Sequence, residues 1–219
     1  MLQGNIVWRA DLAARAAVRD STALASPALR GTAEAANWWG GPGVIWFAAA
    51  LWLGGRAMAR GRLARAGLRG AEALAVASGV SGIIKGLAGR ARPFVDGSEP
   101  WHWEFNHGWT DARFFSMPSG HTTATTAFVL GALFAMTDWP RPMRLALAAP
   151  LVASAVLVAW ARMFADQHWL TDVVAAIAIG TTTALVLARV HRGRGPSAYD
   201  RIMLGKAAMG ASHETRGKP

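Results

Sequence analysis

The chain of 219 residues has no cysteine, so it closes no disulfide and offers neither a thiolate metal site nor a cysteine nucleophile. It is also short of charge: 16% of its residues are Asp, Glu, Lys or Arg, against roughly 25% in soluble domains. Acidic residues are the scarcer kind, 13 against 23 basic, which leaves a formal charge of +10. The N-terminal stretch lacks the basic start and unbroken apolar run of a signal peptide. No internal repeat and no separate soluble domain is visible.

What is present is apolar. Hydrophobic residues make up 53% of the chain, and there are 11 tryptophans, a residue that concentrates where a bilayer meets water. Five segments approach the 20 or so apolar residues that a transmembrane helix needs: 37–55, 71–89, 119–137, 144–161 and 169–190. The expected fold class is therefore all-α, a polytopic membrane helix bundle with about five spans. Residues 1–36 precede the membrane domain, 37–195 form it, and 196–219 make a polar tail. Within 6–20, apolar Ile6, Val7, Leu12 and Val18 mix with Arg9, Asp11, Arg15 and Arg19, as in an interfacial helix or a short soluble one.

Placement of the arginines decides what the positive charge is for. Arg56, Arg60, Arg62, Arg65 and Arg69 follow the first span, Arg141 and Arg144 the third, and Arg189, Arg192 and Arg194 the fifth. With alternating spans these regions share one side, which the positive-inside rule makes cytoplasmic. The charge is then used for topology, and no nucleic-acid partner is expected. Asp96, Glu99, Glu104 and Asp111 fall on the opposite side.

Three clusters place polar groups where a membrane helix avoids them. Lys85, with Arg92 and Pro93 beyond it, closes the second span; such a lysine marks a functional site or snorkels to the interface. Pro118, Ser119, Gly120 and His121 open the third span, as an anion-binding helix start or an ordinary N-cap. Arg162 precedes His168 and Asp172, which are four residues apart and share a helical face, as a nucleophile with its carboxylate or as a surface ion pair. All three clusters fall on the side opposite the loop arginines. Three cations, a helix N-terminus and two histidines beside one carboxylate compose a phosphate site with a nucleophile and an acid.

In this order K-x6-RP, PSGH and R-x5-H-x3-D resemble the type 2 phosphatidic-acid phosphatase superfamily, which also holds soluble acid phosphatases and vanadium haloperoxidases. The motifs run from Lys85 to Asp172, about two-fifths of the chain. One departure is visible: the third motif usually reads Ser-Arg, and here it is Ala161-Arg162. The resemblance implies that His168 attacks phosphorus, that Asp172 orients it, and that His121 protonates the leaving oxygen and then activates water. Lys85, Arg92 and Arg162 would neutralise the phosphate oxygens. The backbone N–H groups of Ser119 and Gly120, with the Ser119 hydroxyl, would complete the cradle. No metal and no other cofactor is implied.

The expected function is hydrolysis of a lipid phosphate: a polyprenyl diphosphate, phosphatidylglycerophosphate or phosphatidic acid. A phosphotransferase of the same architecture is the alternative. A haloperoxidase is disfavoured by the spans, a transporter by the position of every motif charge near one interface. A non-catalytic lipid-binding protein would tolerate loss of His168. The setting expected is a bacterial inner membrane, with the site facing outward. Trp101, Trp103 and Trp109, between the second and third spans with His102 and His107, read as interfacial anchors or, as the second reading, substrate contacts in a loop that caps the site, and Asp166 as loop surface.

Overall fold

Apolar segments in lipid fold as helices because a helix satisfies its own backbone N–H and C=O groups where no water can. The computed structural model describes residues 6–192 and 197–205, and among these the regular elements are helical apart from one isolated bridge, Arg90 to Trp103. Helices α1 (Ile6–Val18), α2 (Ser21–Ala25) and α3 (Pro27–Trp38) lead through a π-helical turn at Trp39–Gly43 into α4 (Val44–Ala57). Then come α5 (Gly61–Ala88), α6 (Gly120–Ala135), α7 (Arg141–Phe164), α8 (Leu170–Arg192) and the short α9 (Ala198–Leu204).

Each expected span falls on a helix, from α4 to α8, and three of these are long and apolar enough to cross a membrane: α5, α7 and α8. At about 1.5 Å per residue, the 23 residues of α8 reach about 35 Å, beyond a hydrocarbon core of about 30 Å. The 16 residues of α6 reach about 24 Å and the 14 of α4 about 21 Å. The expected start of the first span belongs instead to α3 and the turn, where Gly41 leaves helical geometry and Pro42 cannot donate.

Helix α5 begins at residue 61 rather than 71, so Arg62, Arg65 and Arg69 lie on it and not in a loop. Arginine is a good helix former, and these three have carboxylate partners. Arg62 and Arg65 reach Asp138 at 3.5 and 3.3 Å; Arg69 reaches Glu72 at 2.9 Å and also pairs with Asp200. The tail opens as α9, whose start is fixed by a reciprocal Ser197–Asp200 capping box. Trp52 Nε1 and Arg56 Nη1 hold its far end by donating to the Met203 carbonyl at 2.8 and 2.9 Å. Arg194 and residues 206–219 of the tail lie outside the described residues.

The centre of the bundle is lined by alanine. Ala73, Ala77, Ala127 and Ala184 bring α5, α6 and α8 together, and Ala48, Ala66 and Ala132 form a second cluster with Val44, Phe128 and Val129. Small side chains let helices approach where burial against lipid supplies no driving force. A Cβ at Gly180 of α8 would sit 2.9 Å from Thr126 and 3.0 Å from the α6 backbone, so a larger residue would push the two helices apart. Large apolar residues face outward: Val76, Val80 and Ile83 on α5, Val152 and Val156 on α7, Val174 and Ile177 on α8.

The N-terminal segment is docked onto the bundle. α1 packs on α7 and α8, and its Asp11 is fully buried. Asp166, expected on the loop surface, is also buried, because Arg15 of α1 and Arg19 just beyond its end converge on its carboxylate at 2.7 and 3.4 Å.

Candidate active site

The end of α5, the start of α6, the end of α7 and the start of α8 meet at one end of the bundle. Gly89 terminates α5 with φ +58°, a conformation that only glycine adopts freely, and a Cβ there would sit 1.7 Å from the Glu104 carbonyl oxygen. The chain then runs back beneath residues 102–104: Ala91 N donates to His102 O at 3.0 Å and Glu104 N to Gly89 O at 2.8 Å. This turn carries Arg90 and Arg92 inward.

Lys85 does not snorkel. It is buried, donates to the carbonyls of Phe115 and Ser116 at 2.9 and 3.2 Å, and lies 4.8 Å from the centre of the Phe115 ring. Arg92 shares the Phe115 carbonyl at 3.5 Å and donates through its other terminal nitrogen to the Gln167 amide oxygen. Arg162 reaches that same Gln167 oxygen at 3.5 Å and Asn37 Oδ1 at 3.0 Å. The three cations are thus linked in a row through two acceptor oxygens. Among the described residues none of the three forms an ion pair with a carboxylate, and the Nε atoms of Arg92 and Arg162 are buried without a hydrogen-bond partner.

His168 and Asp172 are both buried, which removes the surface ion-pair reading. His168 Nδ1 lies 3.7 Å from Asp172 Oδ2, an ion-pair distance just beyond hydrogen-bond reach. The carboxylate itself is densely held. Oδ2 accepts from Ser116 Oγ at 2.6 Å and Trp169 N at 2.9 Å, and Oδ1 accepts from Arg90 at 2.5 Å. Burial pushes the His168 imidazole down to about 3; Asp172 opposes the shift, and Lys85 and Arg162 add to it. The ring is therefore neutral at physiological pH, with a nitrogen lone pair free.

Ser119 is the N-cap of α6, but its side chain does not cap; the hydroxyl pairs with Thr122 Oγ1 at 2.9 Å. Its backbone N–H is not free for an anion, as the sequence reading expected, because it donates to the Asp172 carbonyl at 3.1 Å. That bond ties the start of α6 to the start of α8. The Gly120 and His121 N–H groups belong to the first turn, which has no intrahelical acceptors. A Cβ on Gly120 would meet only Lys85 Cε, at an ordinary 3.5 Å. His121 faces the turn between α3 and α4, where a Cβ on Gly41 would lie 2.9 Å from its Nε2.

The structure also adds residues that sequence reasoning passed over. Ser116, Gln167 and Asn37 bind the motif side chains, and Arg90 binds Asp172. The Trp103 ring lies 5.0 Å from the Arg90 guanidinium. Trp109 is exposed. At the departure from the usual third motif, Ala161 is fully buried among Ala33, Ala36 and Phe164, so an apolar side chain suits the α3–α7 contact.

With 18% sequence identity and a TM-score of 0.67, the fold is similar to the crystal structure of the first transmembrane PAP2 type phosphatidylglycerolphosphate phosphatase from Bacillus subtilis. The match covers 89% of this chain and 90% of that one. No curated protein sequence matches the chain. The family model of the PAP2 superfamily matches residues 66–196, a stretch that contains all three motifs and more than half of the chain. This chain belongs to the PAP2 superfamily.

Proposed function

We propose that this chain is an integral-membrane phosphatase that hydrolyses a lipid phosphate monoester or diphosphate through a phosphohistidine, without a metal ion. The observation that carries the reading is the row Lys85–Arg92–Arg162, two buried cations and one half-buried, none with a carboxylate partner among the described residues, beside a neutral histidine. Buried charge is costly unless paired, and a phosphate would supply the missing anion.

In the first step His168 Nε2 attacks phosphorus and the bond to the leaving oxygen breaks, while His121 gives that oxygen a proton. Asp172, beside Nδ1, stabilises the positive charge that the ring acquires. In the second step water attacks phosphorus, its proton passes to His121, and the P–N bond breaks to release phosphate and restore His168. Charge builds on the non-bridging oxygens, where the planar guanidiniums of Arg92 and Arg162 and the Lys85 ammonium neutralise it. The Gly120 N–H and the Ser119 hydroxyl complete the cradle.

The apolar outer faces of α5, α7 and α8 and the exposed Phe94, Phe105 and Trp109 near the site support a substrate drawn from the bilayer. The arginines at the opposite end support a cytoplasmic tail and a site on the outer face of a bacterial inner membrane. Phosphatidylglycerophosphate is the first substrate to test, by likeness to the Bacillus subtilis structure, beside phosphatidic acid and a polyprenyl diphosphate.

The test is phosphate release from each lipid by detergent-purified protein in excess chelator, with His168→Ala alongside. Chelator-resistant release that disappears in the variant is expected. Release that survives His168→Ala would remove the histidine mechanism, and release that needs an added lipid acceptor would make the chain a phosphotransferase.

A further inference from the structure

Arg90 lies between two carboxylates. It is fully buried, with Nη2 donating to Asp11 at 2.7 Å and Nη1 to Asp172 at 2.5 Å. Its remaining contacts are Thr171 Oγ1 at 2.7 Å and the Pro100 carbonyl, reached from Nε at 3.0 Å and Nη2 at 2.7 Å. The rings of Trp8, Trp103 and Trp169 enclose the guanidinium at 5.0–5.7 Å. Asp11 is also fully buried; its other oxygen accepts from the Thr171 N–H at 2.8 Å.

Helix α1 therefore grips both flanks of His168. Asp11 holds Thr171, three residues after it, while Arg15 and Arg19 hold Asp166, two residues before it. Charge alternates along the inner line, Asp11 then Arg90 then Asp172, ending at the His168 ring. In so dry a setting an uncompensated Arg90 would draw the field of Asp172 away from the imidazole. With Asp11 on its far side, Arg90 is shared, and Asp172 keeps its negative charge effective where positive charge develops.

We propose that Asp11, brought in by the N-terminal helix, is a positioning residue that acts on the nucleophile His168 through Arg90 and Asp172. The proposal rests on the phosphohistidine reading above. It makes α1 a working part of the site rather than a leader to the membrane domain.

A double-mutant cycle tests it: kcat and KM for phosphate release by the full chain, its Asp11→Asn and Asp172→Asn variants, and the double variant. Asp11→Asn keeps the shape and an acceptor for Thr171 N–H but removes the charge. The expected result is a kcat at least tenfold lower with KM within twofold, and no further loss when the substitution is added to Asp172→Asn. A purely structural role would lower kcat by the same factor in both backgrounds, which overturns the proposal, as does an unchanged kcat for Asp11→Asn. If Asp11→Asn does not fold, Asp11→Ser, which also removes the charge while keeping an oxygen on the side chain, carries the same cycle with the same criterion. His168→Ala separates the two readings: an inactive His168→Ala with an unaffected Asp11→Asn removes the relay alone, whereas an active His168→Ala removes both.

Discussion

Ser116 donates its hydroxyl to Asp172 at 2.6 Å while its own carbonyl accepts from Lys85 at 3.2 Å. A single buried residue thus joins the carboxylate beside His168 to the first of the three clustered cations. Neither contact involves substrate, so the pair fixes geometry before any ligand arrives. A hydrogen bond to a charged group is worth about 1.5–3 kcal/mol. Ser116→Ala leaves the Lys85 contact, which uses backbone, and removes the tie to Asp172 together with a long 3.5 Å contact to the Gln167 carbonyl. Its kcat should fall about tenfold with little change in KM, since the lost bond acts on the transition state rather than on binding. A loss confined to KM would place Ser116 in phosphate binding instead.

Gln167 tests the anion-site reading from the opposite direction. Its amide oxygen lies where the arms of Arg92 and Arg162 converge. Gln167→Glu would place a carboxylate there with almost no change of shape, giving both guanidiniums the anion they lack. KM should then rise at least tenfold, and inhibition by inorganic phosphate should weaken in proportion. Gln167→Ala, which removes the acceptor without adding charge, should change KM by much less. Equal effects of the two variants would argue that Gln167 acts by packing.

The helices and motif residues were legible because each motif breaks an apolar run with a polar group that lipid penalises. Lys85, Arg162 and Asp172 stand out on that ground alone, and antiparallel spans bring their helix ends together. Arg90 carries no such mark, since an arginine after a span resembles any topological charge. Its partner Asp11 is 79 residues away, Ser116 is 56 from Asp172, and Asn37 is 125 from Arg162. Such pairings depend on how helices dock, and α1 looks in sequence like a free amphipathic segment. The start of α5 was misplaced for a related reason. Its arginines read as a loop until Asp138 and Asp200, remote in sequence, supply their partners.

Burial of His168 has a consequence for stability against pH. In the folded protein its imidazole is held down to about 3, whereas in an unfolded chain it titrates near 6.5. Between those values the unfolded state takes up a proton that the folded state refuses, so stability falls as pH drops from about 6.5 toward 3. His168→Asn removes this one contribution. Its apparent Tm in detergent should decline less than that of the wild type between pH 7 and pH 4. Parallel declines would mean that His168 is protonated within the folded protein.

The kink before α4 gives a prediction about His121. A Cβ at Gly41 would fall 2.9 Å from His121 Nε2, the nitrogen that faces the turn, so the ring must shift to admit it. Gly41→Ala should therefore lose about tenfold in kcat, as His121 is displaced from the leaving oxygen. Gly82→Ala is the control, since a Cβ there meets nothing within 4 Å and the helical position favours alanine by about 1 kcal/mol. It should match or exceed the wild type in stability and keep full activity. If Gly41→Ala behaves like Gly82→Ala, the space beside His121 is not where the leaving group sits, and the general acid must be sought elsewhere.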